Sequence, residues 1–509
     1  MSIPYLSRGY KDPVKLLSQL HTEPEQHWIK RGQRMVLCLF HEAAEHVLAY
    51  KDFLKKHGVR HLKVKTIEDF RGVPIISKES YLRQYPLDKL SRGGIFPEAH
   101  WDISSTSGST GEPFYFPRRR EQNLQYALTA ELYLRNNFDI DKRTTLYVNC
   151  FALGVWIGGL FTYEALKLVA ERGKYDLTIV NPGLNKEEII KVVKNLGPYY
   201  DQVVIGGYPP FVKDVIDDGI GKGLNWPDYR IKLIFSAEAF SEDFRDYLYK
   251  KIGQRNIYLD SLNHYGTVDQ GTLAHETPLS ILIRRLALKN EKLFTSVFGS
   301  GLNKQPTLAQ YIPEMFFFEI EAGGLLCSSN SGLPLVRYDL KDHGGVIGFE
   351  KMKEIFSDFG IDLFKEAKKS GIMHKVWTIP FVYVYERKDL SVSFCGANIY
   401  PETIKRLLQE LDFSQTFTGK FTLLVKRDWN QDPFLEINLE LKDRVLSPSP
   451  KLRKHLSQRM VDTLLKENSE YRSVYLDQKQ ERAIPRLEFW PYESVNFFKV
   501  GGKQKWVIS

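Results

Sequence analysis

At 509 residues the chain is longer than one hydrophobic core supports, because cores stop growing near roughly 250–300 residues, so two or three domains are expected. Apolar residues at 43% and charged residues at 26% exclude a wholly disordered or fibrous protein. The net charge of +9 comes from Lys and Arg interleaved with Asp and Glu, so it does not mark a nucleic-acid surface, and neither nucleic acid nor membrane insertion is expected.

Residues 1–90 carry helical periodicity with mixed charges, as in "HEAAEHVLAYKDFLKKHG", which closes on Gly58. A zinc helix needs His at i and i+4, whereas His41 and His46 are five apart and point to different sides. Cys38, Cys150, Cys327 and Cys395 are scattered, with no CxxC, and the opening "MSIPYLSRGYKDP" does not read as a secretory leader. A reduced, cytoplasmic protein is expected.

From Thr144 to Tyr163 the chain has twenty uncharged residues with a GxxxG spacing at Gly154 and Gly158, the pattern of a spanning helix. Asn149 and the three glycines instead suit a buried strand, a tight turn and a buried helix. Up to about Gly348, "TTLYVNCF", "DLTIVNP", "QVVIGGY", "IKLIFSA" and "NIYLDSL" read as buried strands. "NKEEIIKVVKNLG" and "SEDFRDYLYKKIG" read as helices between them, the second starting on an N-cap at Ser241. Strands alternating with helices imply parallel pairing with right-handed crossovers, an α/β domain. After about Glu386 the texture changes to a strand and loop in "SVSFCGANIY", a helix from Pro401, strands in "FTLLVK" and "FLEINLEL", a helix after "KDRVLSPSP", and a basic tail. This is a compact α+β domain, and the expected boundaries are 1–386 and 387–509.

The stretch "SSTSGSTGEPFYFPR" from Ser104 to Arg118 crowds hydroxyls and glycines, whose donors and small size suit a polyphosphate. A flexible connector has the same composition. No GxxxxGK[ST] or GxSxG occurs, so local chemistry stops at a candidate phosphate loop.

The loop resembles the "[ST]SGTTGxP" signature of the adenylate-forming superfamily, and four later segments resemble that superfamily's other motifs in the same order. "FSAEAFS" from Phe235 is similar to "GAEPLS", and "YGTVDQG" from Tyr265 to "YGxTE". "PLVRYDLKD" from Pro334 resembles "PLIRYRTGD", and "ERKDLSVSFCGANIYP" the hinge region "GRxDDxxxxxGxxxxP". The lead-in "DFRGVPIISKESYLRQYP" places the chain nearest the phenylacetate–CoA ligase branch, and the resemblance runs from about Ala49 to the C-terminus.

The resemblance implies a large N-terminal adenylate-forming domain and a small mobile C-terminal domain that together activate a carboxylic acid with ATP and Mg2+. It places Ser105, Thr106, Ser107, Gly108, Ser109, Thr110 and Gly111 around the β- and γ-phosphates, with Ala237 and Glu238 lining the nucleotide site. Tyr265, Gly266 and Thr267 would flank the adenine, Asp269 would contact Mg2+, and Asp342 would accept both ribose hydroxyls near Arg387. Asp389 is the implied hinge, with Gly396, Ala397 and Asn398 on the face used for transfer. Lys503 follows Gly502 as the family's adenylation lysine follows a glycine, and Lys505 is the reserve. Glu112 stands where a lysine is common, Val268 where Thr or Ser is usual, and Lys405 where Glu is common. Arg118, Arg119 and Arg120 read as a solvated turn, and Arg337 as a brace for its loop. Phe151, Trp156 and Tyr208 line an acyl pocket or pack the core.

The acyl acceptor implied is coenzyme A, with an amine or a carrier-protein thiol as the alternative. A nucleotide-binding protein of the same fold with weakened chemistry is the rival that Glu112, Val268 and Lys405 keep open. The related branch is often dimeric, which leaves a homodimer open.

Overall fold

The computed structural model describes residues 12–106, 113–253, 256–299, 305–387, 391–408, 411–477, 480–494, 496–498 and 506–507. The chain divides into two compact units. One comprises 1–105, 115–207 and 212–388, and the other 389–509 together with 106–114 and 208–211.

The first unit is built on one eleven-stranded sheet. Ahead of it, a helix α1 (Glu25–His46) leads in, and β1 (Asp102–Ser105) pairs antiparallel with β2 (Tyr115–Arg118) as a separate hairpin. A helix α2 (Arg120–Phe138) follows. The strands β3 (Thr145–Asn149), β4 (Leu177–Val180), β5 (Gln202–Gly207), β6 (Ile231–Phe235) and β7 (Ser261–Thr267) form a parallel half in the order β4-β3-β5-β6-β7. Between them run α3 (Ile157–Gly173), α4 (Lys186–Leu196) and α5 (Glu242–Ile252). Every residue of β3 and β5 is buried, which is why those strands read as unbroken apolar runs rather than alternating ones.

The chain passes outward from β3 to β4 and then returns to the other side of β3 at β5, so the strand order reverses between β3 and β5. In open α/β sheets the crevice beyond the C-terminal ends of such strands is where ligands bind. Asn149, the last residue of β3, shapes that crevice: its Nδ2 donates to Gly159 O at 2.9 Å and Asn181 Oδ1 at 2.8 Å, and its carbonyl accepts from the Gly183 N–H. The segment from Thr144 to Tyr163 is thus a strand, a turn and the start of α3. Among the described residues no helix is long and apolar enough to cross a membrane.

The other half of the sheet is antiparallel. It adds β8 (Gly271–His275), β9 (Thr307–Gln310), β10 (Phe316–Glu321), β11 (Gly324–Ser329), β12 (Leu335–Ile347) and β13 (Phe381–Arg387) in the order β7-β8-β9-β13-β12-β11-β10. Strand β7 is therefore the seam between the halves. On β12 a register shift falls between His343 and Gly344, and a Cβ on Gly344 would lie 2.0 Å from Tyr383 O, so only glycine passes there. Arg337, also on β12, holds φ 50, and its guanidinium donates to Glu319 at 3.2 Å and to the carbonyls of Arg71 and Val73. It ties the lead-in segment at Arg71 and Val73 to the sheet, rather than only bracing its own loop.

Three local readings are corrected. The helix expected through "HEAAEHVLAYKDFLKKHG" breaks at Val47, whose extended backbone pairs with Arg92, before a short helix over Leu48–Lys56. The strand expected at "NIYLDSL" starts only at Ser261: Asp260 Oδ2 accepts from the Asn256 N–H and Asn256 Oδ1 from the Tyr258 N–H, side-chain bonds that favour a turn over a ladder. Arg118 is buried on β2 rather than solvated, and Arg119 lies over Trp101 at 4.5 Å.

His264 on β7 and His275 on β8 stand opposite each other and both contact Tyr133. Burial, helped by His275, holds His264 down to about 3, and burial holds His275 at about 4 despite its bond to Glu276 O. Both folded values lie below the ordinary 6.5, so the unfolded chain takes up protons that the native one refuses. Stability is therefore complete above pH 6.5 and falls with acid, by at most about 2.7 kcal/mol per pH unit for the two groups together. Thermal melts between pH 7 and 4.5 should show a falling Tm, with a shallower slope in the His264→Gln, His275→Gln double variant.

In the second unit, β14 (Val392–Phe394) and β15 (Ala397–Ile399) form a hairpin closed by Cys395 and Gly396, with φ 52 and 86. A two-residue loop with both φ values positive matches strand twist, and Gly396 takes that conformation without cost. Helices α6 (Pro401–Leu408) and α7 (Pro450–Glu467) pack on a sheet of β16 (Phe417–Arg427), β17 (Pro433–Leu441) and β18 (Arg486–Trp490) around a core that includes Phe394, Ile404, Leu423, Ile437 and Met460.

Candidate functional site

The seam strand carries the centre of the candidate site. The hairpin between β7 and β8 turns through Val268, Asp269 and Gln270, and the Gln270 N–H donates to Thr267 Oγ1 at 3.2 Å. A Cβ on Gly266 would sit 2.6 Å from Gly271 O, so the tight crossing needs glycine. Strand β12 meets this tip twice. The Tyr265 hydroxyl donates to Asp342 Oδ2 at 2.5 Å, and the Tyr338 hydroxyl donates to Asp269 Oδ2 at 2.5 Å.

All four of these side chains are buried. Tyr265 also stacks beside Phe318, with centroids 6.2 Å apart, so this ring neighbour and the bond to Asp342 both orient its ring. Asp342 is directly opposite Arg387 in the β12–β13 register. The fold therefore gathers Tyr265, Gly266, Thr267, Asp269 and Asp342 from two distant stretches of sequence.

The turn after β6 is tied to the same strand. Ala237 takes φ 76, a left-handed conformation, and the Glu238 carbonyl accepts from Asn263 Nδ2 at 3.0 Å. The Asn263 N–H in turn donates to Glu276 Oε2 at 2.9 Å. Ser105 ends β1, its N–H donating to Val155 O at 3.0 Å. Thr106 and Phe114 close the neck of the candidate phosphate loop: the Thr106 N–H donates to Phe114 O at 3.0 Å, and Thr106 Oγ1 accepts from the Phe114 N–H at 2.9 Å. Ser107, Gly108, Ser109, Thr110, Gly111 and Glu112 lie outside the described residues, as do Asp389, Lys503 and Lys505.

In the second unit, the Asn398 N–H beside Gly396 donates to Glu470 Oε2 at 2.8 Å. Trp506 lies on the edge of β16: the Leu423 N–H donates to Trp506 O at 2.8 Å, and the Trp506 ring lies 4.8 Å from Phe421 and 5.4 Å beneath the Lys405 ammonium.

Sequence reasoning missed three members of this arrangement: Tyr338 as the partner of Asp269, Phe318 beside Tyr265, and buried Arg118. Tyr338 lies four residues before Asp342 in the run already singled out, a signal that was available. Phe318 carried none, because its contact with Tyr265 exists only after the sheet forms. Replacing Tyr265 with phenylalanine removes the donor on buried Asp342 while leaving the ring, so denaturant titration should show a loss of about 1.5–3 kcal/mol.

No family model matches the chain, and no curated protein matches it. Solved structures do. The chain is similar to 2-hydroxyisobutyryl-CoA ligase in complex with 2-HIB-AMP and CoA in the thioesterification state, with a TM-score of 0.63 at 14% identity, over 96% of this chain and 91% of that one. The same ligase in the postadenylation state with 2-HIB-AMP gives 0.54 at 14% identity, over 97% and 91% of the two chains. Its open conformation with 2-HIB-AMP and CoA gives 0.52 at 14% identity, over 97% and 94%. Over nearly its whole length, the chain therefore shares the fold of 2-hydroxyisobutyryl-CoA ligase.

Proposed function

We propose that the chain is an AMP-forming acid ligase that converts a carboxylic acid to its acyl-adenylate, releasing pyrophosphate, and then passes the acyl group to coenzyme A. The observation that carries this reading is the buried Tyr265–Asp342 pair at the seam of the sheet, set beside the tip that holds Asp269. An aromatic plane for a purine and a carboxylate able to accept two hydroxyls stand next to each other there, as a nucleoside requires.

In this reading the acid's carboxylate oxygen attacks the α-phosphorus of ATP and pyrophosphate leaves. No covalent enzyme intermediate forms, so the residues work by positioning and by neutralising charge. Ser105, Thr106 and the loop through Gly111 hold the outer phosphates. Ala237, Glu238, Tyr265, Gly266, Thr267 and Asp342 hold the nucleoside, with Arg387 at the end of β13. Lys503 supplies positive charge at the α-phosphate, Asp389 is the hinge between the units, and Gly396 with Asn398 serves the transfer step.

The residues present suit magnesium. Mg2+ bound chiefly by phosphates needs only one or two carboxylates, and Asp269, oriented by the Tyr338 hydroxyl, offers one. When bound, the ion would neutralise phosphate charge. The four unpatterned cysteines support a cytoplasmic setting.

An amine or carrier-thiol acceptor is the second reading, since no residue described above discriminates among acceptors. Exchange of labelled pyrophosphate into ATP tests the first half-reaction without assuming any acceptor.

A further inference from the structure

We propose that Arg118 selects the substrate: the carboxylic acid activated here carries a second anionic group, and that group sits on the Arg118 guanidinium. This rests on the acid-activation reading above. Arg118 ends β2 and is only 4% exposed. Its Nη1 donates to Ser104 Oγ at 2.6 Å, and its Nε has no partner among the described residues. The guanidinium lies over the Phe161 ring, 4.9 Å from its centroid.

Other buried arginines differ in meeting carboxylates. Arg245 and Arg284 meet Glu242 and Glu276, and Arg337 meets Glu319, whereas among the described residues no carboxylate lies within ion-pair distance of Arg118. Asp102, opposite Arg118 in the hairpin, is half-buried, and its Oδ2 accepts from Asn123 Nδ2 at 2.7 Å. Burial pulls the Arg118 guanidinium down to about 10, with Asp102 only partly offsetting it. A cation withdrawn from water with so little counter-charge is costly in the free protein, and a bound anion would remove that cost.

The location suits an organic acid. Phe161 lies on α3, the helix that follows the crevice where the strand order reverses, and a Cβ on Gly271 would come within 3.1 Å of its ring. The β1–β2 hairpin, α3 and the β7–β8 tip thus converge on one apolar ring with a cation on its face. The free Nε edge matches a carboxylate. A phosphate oxygen of ATP has the same chemistry, because β2 leaves the candidate phosphate loop, and the test separates the two.

Alkyl and aryl monocarboxylates are compared with analogues bearing a second carboxylate, using wild type, Arg118→Gln and Arg118→Lys. Thermal stabilisation by acid alone and pyrophosphate exchange are both read. Wild type should prefer the dicarboxylates in both assays. Arg118→Gln should lose their stabilising effect and raise their KM about 50-fold, with the KM for ATP within about twofold. Equal use of both acid classes by wild type would overturn the proposal, as would a rise in the KM for ATP with the acid KM unchanged, which assigns Arg118 to phosphate. If Arg118→Gln does not fold, Arg118→Lys keeps the charge without the forked geometry and should lose most of the dicarboxylate preference; full retention counts against the proposal. Absence of exchange with Arg118-dependent stabilisation intact would count against acid activation and leave the anion site standing.

Discussion

Replacing Glu276 with glutamine is expected to destabilise the protein by about 3–5 kcal/mol, the range for breaking a buried ion pair from one side. Glu276 follows β8 and is fully buried. Its carboxylate accepts from Arg245 Nη2 at 2.8 Å, Arg284 Nη1 at 3.0 Å and the Asn263 N–H at 2.9 Å. Glu242 completes the square, bonding Arg245 at 3.0 Å and pairing with Arg284 at 3.0 Å. Burial would raise the Glu242 carboxyl, but Arg245 and Arg284 outweigh it and hold the group at about 2. The loss reaches the candidate site, because Asn263 links this network to the Glu238 turn and lies two residues before Tyr265. Denaturant titration should therefore show a lower midpoint at unchanged m-value, and the KM for ATP should rise in the surviving folded fraction.

Replacing Lys503 with alanine is expected to slow formation of the acyl-adenylate by about 100- to 1,000-fold, as for loss of one charge-stabilising donor in a transition state. Transfer from a supplied acyl-adenylate to coenzyme A should change by less than about threefold, because that half-reaction breaks the acyl C–O bond and expels AMP without making or breaking any bond to the α-phosphorus. Stability should be unaffected, because the contacts on β16 are made by Trp506, beyond the substituted residue. Lys505→Ala provides the comparison, and a larger effect there would move the role to that residue.

Much of the parallel half was legible because its strands are buried on both faces and therefore stand out as short apolar runs between amphipathic helices. The antiparallel half was less so. Strand β12 carries left-handed residues at Arg337 and Lys341 and several register shifts, so it does not alternate cleanly, and only its resemblance to a known motif drew attention to it. The candidate site was legible as separate motifs, but not as contacts. Nothing local in the sequence links Tyr265 to Asp342 or Asp269 to Tyr338, since each pair joins β12 to a tip about seventy residues earlier, and the sheet order sets both. Arg118 was misread for a related reason. Three consecutive arginines look solvated, yet the pairing of β2 with β1 turns the first of them inward beneath Phe161.

Acid-dependent exchange of labelled pyrophosphate into ATP, run across a panel of alkyl, aryl and dicarboxylic acids, tests acid activation most directly. Exchange that appears only when an acid is added, and collapses in Lys503→Ala, is the predicted result. ATP binding without exchange for any acid on the panel would contradict the account and leave a nucleotide-binding protein of this fold.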